Sequence, residues 1–212
     1  MFYIGLDLGK TQDPSAIAVV EAMEVRRPYG NPVVEGYVVR YLERLPLGTT
    51  YPRVVEQVQR IVMRPEVRGQ CAVAADGTGV GEPVLDMLRA ARLGCEVMSV
   101  KITSGERESR TGSTGAAPQV NVPKQDLIAG LQLVLESREL KICRGLRYAG
   151  ALAKEMVEVR VAQRGLGRVR IGADGYGEHD DLVIALALGV WRARRGRQYV
   201  GFGGGRLPGV HG

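Results

Sequence analysis

A mixed α/β domain, with helices on both faces of a central sheet that opens in an antiparallel three-strand meander, is predicted by three stretches of different hydrophobic pattern. The first 45 residues hold three β-rich runs parted by turn residues. The middle alternates short apolar strands with helical repeats. The end is a segment apolar almost all round, as a buried helix is.

The meander comes first. Phe2 to Leu8 is a short apolar run; Ala16 to Val25 is a second, and "VVEGYVVRYLERL", Val33 to Leu45, is a third, reached through the turn residues of "RRPYGNP". From Tyr51 the period becomes helical: Val54, Val55, Val58, Ile61 and Val62 share one face. "QCAVAAD", Gln70 to Asp76, is the next strand, followed by the Gly-rich "GTGVGEP", a helix ending at Gly94 and the strand "CEVMSVKI". Strands joined by helices in this way are parallel, so the sheet is mixed.

Thr103 to Pro123 has almost no large apolar residue and is expected to be a mobile loop. Helices are expected at "KQDLIAGLQLVLESREL" and "LRYAGALAKEMV". Val157, Val159 and Val161, answered across "RGLG" by Val169 and Ile171, alternate with charged residues and predict a hairpin with one charged face. The last helix, "GEHDDLVIALALGVWRARR", closes on Arg192, Arg194 and Arg195, cations that favour a helix C-terminus. The expected organisation is one domain over 1–196 and a flexible Gly-rich tail over 197–212.

Composition narrows the function classes. The 212 residues, 45% hydrophobic, suffice for one packed domain rather than two. With 29 Lys and Arg against 23 acids, the net charge of +6 favours a polyanionic partner. Cys71, Cys95 and Cys143 are isolated and flanked by apolar residues, as buried reduced thiols are, and two histidines exclude a His-rich metal site. No run is long and apolar enough to span a bilayer and no signal peptide opens the chain, so the expected location is the cytoplasm, without a membrane partner.

The carboxylates carry the chemistry. Asp7 sits at the end of an apolar strand, Asp76 ends "CAVAAD", and Asp180 and Asp181 open the apolar last helix. In an α/β sheet such strand ends and helix starts meet in one crevice. Oxygen ligands without His or Cys select hard ions, Mg²⁺ or Mn²⁺, and two such ions about 3.5 to 4 Å apart polarise a phosphodiester and activate water. Each acid also has a plain structural role open to it. Asp7 suits a turn, Asp76 an Asx turn, and Asp180 and Asp181 the first turn of a helix. What those roles leave unexplained is why the most apolar segments all begin or end on aspartate.

Two other motifs are weaker. "DLGKT" is similar to the phosphate turn of the sugar kinase, actin and heat-shock ATPase superfamily, but the chain is too short for that superfamily's second domain. "DGTGVGEP" has Gly-X-Gly-X-Gly spacing rather than the dinucleotide-binding fingerprint, and reads as a turn that lets backbone or substrate approach Asp76. No ATP site is expected.

Taken in order, "YIGLDLGKTQDPSAIAVV", "VAADGTGVGEPVLDML", "VPKQDLIAGLQLVLESRELKI" and "GEHDDLVIALALGVW" resemble the nuclease domain of tailed-bacteriophage large terminase subunits, over nearly the whole chain. That family has a ribonuclease H-like fold related to Holliday junction resolvases, and cuts double-stranded DNA by two-metal chemistry during genome packaging. The resemblance implies that Asp7, Asp76, Asp180 and Asp181 are catalytic metal ligands for two Mg²⁺ or Mn²⁺ ions. It implies that Asp13 and His179 are accessory to the site, and that Lys124 meets a phosphate or orders the site. It further implies a packaging ATPase domain, a small terminase and a portal protein as partners, in a host cell cytoplasm. The chain lacks the Walker-type ATPase of a complete large subunit, and so corresponds to an excised nuclease domain or a free-standing relative.

For DNA, the predicted hairpin offers Arg160, Arg168 and Arg170 on its outer face and Arg164 at its tip, while Lys101, Arg107 and Arg110 border the predicted loop. A solvated hairpin face explains the same charges. Aromatic residues are only 5% of the chain, which argues for backbone contacts over base stacking and for weak sequence preference. The alternatives are a Holliday junction resolvase of the same fold and a non-catalytic DNA-binding packaging module.

Overall fold

The computed structural model describes residues 1–9, 13–25, 34–79, 82–111, 119–164 and 180–200. The meander forms where the β-branched runs lie. Strand β1 (Phe2–Asp7) pairs antiparallel with β2 (Ala16–Val25), and β2 with β3 (Val34–Arg44). Helix α1 (Tyr51–Val62) follows, with Pro52 in its first turn and Val54, Val55, Val58, Ile61 and Val62 buried, the face that the sequence period predicts.

Then come β4 (Cys71–Asp76), α2 (Glu82–Ala90) and β5 (Glu96–Thr103), with β4 parallel to both β1 and β5. Strands β6 (Ser109–Thr111) and β7 (Gln119–Pro123) extend this half, and α3 (Lys124–Glu136), β8 (Leu140–Ile142), α4 (Ala149–Arg164) and α5 (Asp181–Val200) complete the described chain. The order in the eight-stranded sheet is β6-β7-β5-β4-β1-β2-β3-β8.

Strand alternation divides the core between the two faces. Phe2, Ile4, Leu6, Val73 and Ala75 bury against α1 and α2. Tyr3, Ala18, Val20, Ala72, Ala74 and Val100 bury against α3, α4 and α5. The central element of the second layer is α5, whose residues from Leu182 to Leu188 are all buried.

Four expectations are corrected. The segment around Val157, Val159 and Val161 is no hairpin strand: α4 continues to Arg164, so Arg160 and Arg164 are helical, while Arg168, Val169, Arg170 and Ile171 lie outside the described residues. The alternation deceives because Leu152, Glu155, Met156 and Val159 also fit a helical face, which packs inward and leaves Val157 62% exposed.

Next, the predicted loop from Thr103 to Pro123 contains β6 and β7. Val120 and Val122 are enough to bury one side of β7 against the sheet, and backbone pairing with β5 supplies the rest. Residues 112–118 lie outside the description. The third correction is at "SREL": α3 stops at Glu136, Arg138 turns the chain at φ 60°, and Leu140 enters β8 beside β3.

Lastly, α5 runs past Arg195 to Val200, into the predicted tail. Its arginines reach sideways instead of closing the helix: Arg192 pairs with Glu96 at 2.5 Å, and Arg195 pairs with Glu108 and stacks on Trp191. Of the cysteines, Cys71 is buried as expected and Cys143 is exposed; all three are free thiols. No helix among the described residues is long and apolar enough to cross a membrane.

Candidate metal centre

Parallel pairing places two of the acids. Leu6 is in register with Ala75, so Asp7 and Asp76, each one residue further on, leave neighbouring strands at the same sheet edge, with strand axes about 4.8 Å apart. Alternation assigns both to one face. Asp7 follows Tyr3 and Gly5, Asp76 follows Ala72 and Ala74, and this is the face that α5 covers.

The other two acids arrive at the start of α5, Asp180 just before it and Asp181 as its first residue, and a missing side chain decides where. A Cβ on Gly5 would lie 1.8 Å from the Ala185 carbonyl oxygen and 2.6 Å from the Gly189 nitrogen. The helix therefore rests directly on the β1 backbone. Asp181 is one turn before Ala185 and Asp7 two residues after Gly5, so the helix start is brought to the strand end.

The charges register this convergence. Burial pushes the Asp7 carboxyl well above its ordinary range, repulsion from Asp76, Asp181 and Asp180 raises it further, and the ammonium of Lys124 opposes the rise. The other three predicted metal ligands thus all act on Asp7. Two are also held by cations: Lys124, the first residue of α3, reaches Asp180 at 2.5 Å, and the Arg44 Nε stands 3.2 Å from Asp181.

The plain structural roles of these acids are real as well. The Thr78 amide donates to Asp76 Oδ1 at 2.8 Å, making the Asx turn, and the Thr78 hydroxyl accepts the Ile102 amide at 2.8 Å, tying the turn to β5. The fit at Gly77 is tight, since a Cβ there would stand 3.0 Å from Ser99 Oγ and 3.2 Å from Leu85 Cδ1. Asp180 accepts the Ile184 amide through its carbonyl at 2.9 Å, and Asp181 lies in the first turn of α5, where negative charge suits the helix dipole.

Sequence reasoning missed two residues. Glu155 of α4 accepts the backbone amides of Leu182 and Val183 through Oε2, at 3.1 and 3.2 Å, and its other oxygen pairs with Arg44. It caps α5 from a neighbouring helix. Burial raises the Glu155 carboxyl to about 7; Arg44 and the Val183 amide oppose the rise, and Asp181 adds to it. Arg44, at the end of β3, bridges Glu155 and Asp181. In sequence each is one charge among many, and no local signal marks it.

The remaining candidates are placed differently. Asp13 is exposed, two residues before Ser15, whose Oγ accepts the Gly9 amide at 3.0 Å. His179 lies outside the described residues. Lys101 is exposed, and alternation sets it on the Val97 side of the sheet, opposite the acids. Arg107 and Arg110 are exposed near β6.

Among the described residues, no group of three or more His, Cys, Asp or Glu side chains forms a ready metal cage. The acids are instead neighbours within electrostatic reach, with Asp180 and Asp181 each held by a cation. The donor set nevertheless fits a hard divalent cation. It offers only oxygen, and its mutual repulsion is the kind that such a charge relieves.

A mixed sheet that opens in an antiparallel meander, carries helices on both faces and gathers acids at the ends of its first and fourth strands defines the ribonuclease H-like class. The chain resembles the terminase nucleases within it. It is 26% identical over 188 residues to the large terminase subunit of Thermus phage G20c, covering 89% of this chain and 31% of that protein. The large terminase subunit of Thermus virus P23-45 matches at the same identity and coverage. The chain therefore spans about a third of the length of these relatives. The human cytomegalovirus terminase nuclease domain, in a structure soaked with Mn, superposes with a TM-score of 0.52 at 10% identity, covering 89% of this chain and 82% of that one. No family model matches the chain.

Proposed function

We propose that this chain is a divalent-metal-dependent endonuclease that hydrolyses double-stranded DNA, as the nuclease part of a phage packaging terminase. The observation that supports this most is the convergence on Asp7. Three further carboxylates, from β4 and from the start of α5, raise its proton affinity at a single sheet edge. A purely structural strand end has no use for such repulsion.

Asp7, Asp76, Asp180 and Asp181 would hold Mg²⁺ or Mn²⁺. When bound, such ions polarise the phosphodiester and supply a water that is acidic enough to attack it. The chain's own residues prepare that arrangement. Thr78 fixes Asp76 by its amide, α5 delivers its two acids at a set distance from β1, and Lys124 offers a positive charge that can turn from Asp180 to a phosphate oxygen. Arg160 and Arg164, on α4 rather than a ribbon, are proposed with Lys101, Arg107 and Arg110 as contacts to the DNA backbone. By the same reading Asp13 and His179 are accessory. A packaging ATPase domain, a small terminase and a portal protein would be the working partners.

The test is supercoiled plasmid incubated with the protein and Mn²⁺, beside Asp7→Asn and Asp181→Asn. Metal-dependent relaxation and linearisation that both substitutions abolish is the expected outcome. Cutting that survives both, or no cutting by the wild type, refutes the proposal.

A further inference from the structure

The acids of the centre have different supports. Asp76 is fixed by a backbone amide and Asp180 by the flexible Lys124, whereas Asp181 is bound into a bridge of three side chains from three elements. Arg44, at the end of β3, spans Asp181 and Glu155 with its guanidinium, and Glu155 holds the first turn of α5 by the amides of Leu182 and Val183. Tyr148 steadies the base of the bridge, its hydroxyl donating to the Arg44 carbonyl at 3.1 Å. Asp181 and Glu155 are nearly fully buried, and the Arg44 side chain is 22% exposed.

We infer that Arg44 and Glu155 act as one unit that aims the Asp181 carboxylate at the metal centre, resting on the nuclease reading above. Neither is a catalytic residue; both are positioning residues. The argument is geometric. Glu155 makes three bonds, two to the backbone of α5 and one to Arg44, so the helix start and the guanidinium share a single anchor. The planar fork of Arg44 sets its Nε 3.2 Å from Asp181 Oδ2, a charge contact without hydrogen-bond geometry, while its terminal nitrogen is held by Glu155, so the Asp181 carboxylate faces a positive charge fixed in place. Lysine has no such fork and could not serve both acids in that geometry. Partners of this kind, one shell behind the ligands, commonly change metal affinity 10- to 100-fold when removed.

The test needs no DNA. Mn²⁺ is titrated calorimetrically into the wild type, Arg44→Met, Arg44→Lys, Glu155→Gln and the Arg44→Met/Glu155→Gln double variant, each first shown to be folded by circular dichroism. Arg44→Met should bind Mn²⁺ about tenfold more weakly or worse. Arg44→Lys, which keeps the charge and guards against a folding failure, should recover less than half of the lost affinity on a logarithmic scale. Glu155→Gln, whose amide oxygen still accepts from α5, should lose less than Arg44→Met, and the double variant should be no weaker than Arg44→Met, as residues acting in one unit are. Plasmid cutting by Arg44→Met should return to near the wild-type rate at saturating Mn²⁺, which a general structural defect would not allow.

Unchanged or tighter Mn²⁺ binding by Arg44→Met overturns the inference, as does full rescue by lysine or simple additivity in the double variant. A different result reports on the nuclease reading: if the wild type binds no Mn²⁺ and Asp7→Asn behaves identically, the metal centre itself is refuted, and the inference falls with it.

Discussion

Gly5 and Ala185 touch backbone to backbone: a Cβ on the glycine would stand 1.8 Å from the alanine carbonyl oxygen. This contact sets α5 on β1 and so determines how far Asp181 lies from Asp7. Gly189 continues it: a Cβ there would stand 3.5 Å from the Gly5 nitrogen.

Gly5→Ala is therefore predicted to destabilise the fold by about 3 kcal/mol or more, the upper end of the penalty for overpacking, because the clash is with helix backbone, which cannot swing aside. Urea unfolding followed by circular dichroism measures it. A cost below about 1 kcal/mol would mean that α5 can lift from β1, and the close contact would not be what places the acids.

Asp7→Asn should stabilise the metal-free protein at neutral pH while removing its activity. The sign follows from the raised proton affinity of Asp7. The folded state binds this proton more tightly than the unfolded one, so ionised Asp7 opposes folding above its folded pKa, and the penalty fades as pH falls toward the ordinary carboxylate value of 3.8. Melting temperatures in EDTA should show the variant ahead of the wild type at pH 7 to 8 and the gap closing near pH 4. A variant less stable than the wild type at pH 8 would contradict the crowding of charge at Asp7.

Lys124 opposes the rise in Asp7. Replacing it by methionine should push the Asp7 carboxyl higher still, so the form that can bind a metal is reached only at higher pH. The acid limb of the pH profile of plasmid cutting should move upward in Lys124→Met. Movement downward, with the plateau intact, would show that Lys124 acts on another group.

Much of this arrangement was legible in the chain. The meander, the buried face of α1 and the β4-α2-β5 succession follow from period alone, and the acids stood out because apolar segments end or begin on them. The charged V-E-V-R-V stretch was misread because a valine at every second position satisfies a strand, while Leu152, Glu155, Met156 and Val159 satisfy a helix, and only the presence of α5 beneath them decides. The same holds for Gly5 and Gly189. A small residue carries meaning only once its facing element is known. Arg44 and Glu155 are 111 positions apart, and nothing local to either predicts that they meet.

The central claim is that Asp7, Asp76, Asp180 and Asp181 form a metal centre. Its most direct measurement is a crystal of the protein soaked in Mn²⁺, with anomalous scattering recorded at the manganese edge. Anomalous density between the ends of β1 and β4 and the start of α5, lost in Asp7→Asn crystals, is the predicted result. Fully ordered carboxylates with no manganese among them, or manganese bound only elsewhere on the surface, would contradict it.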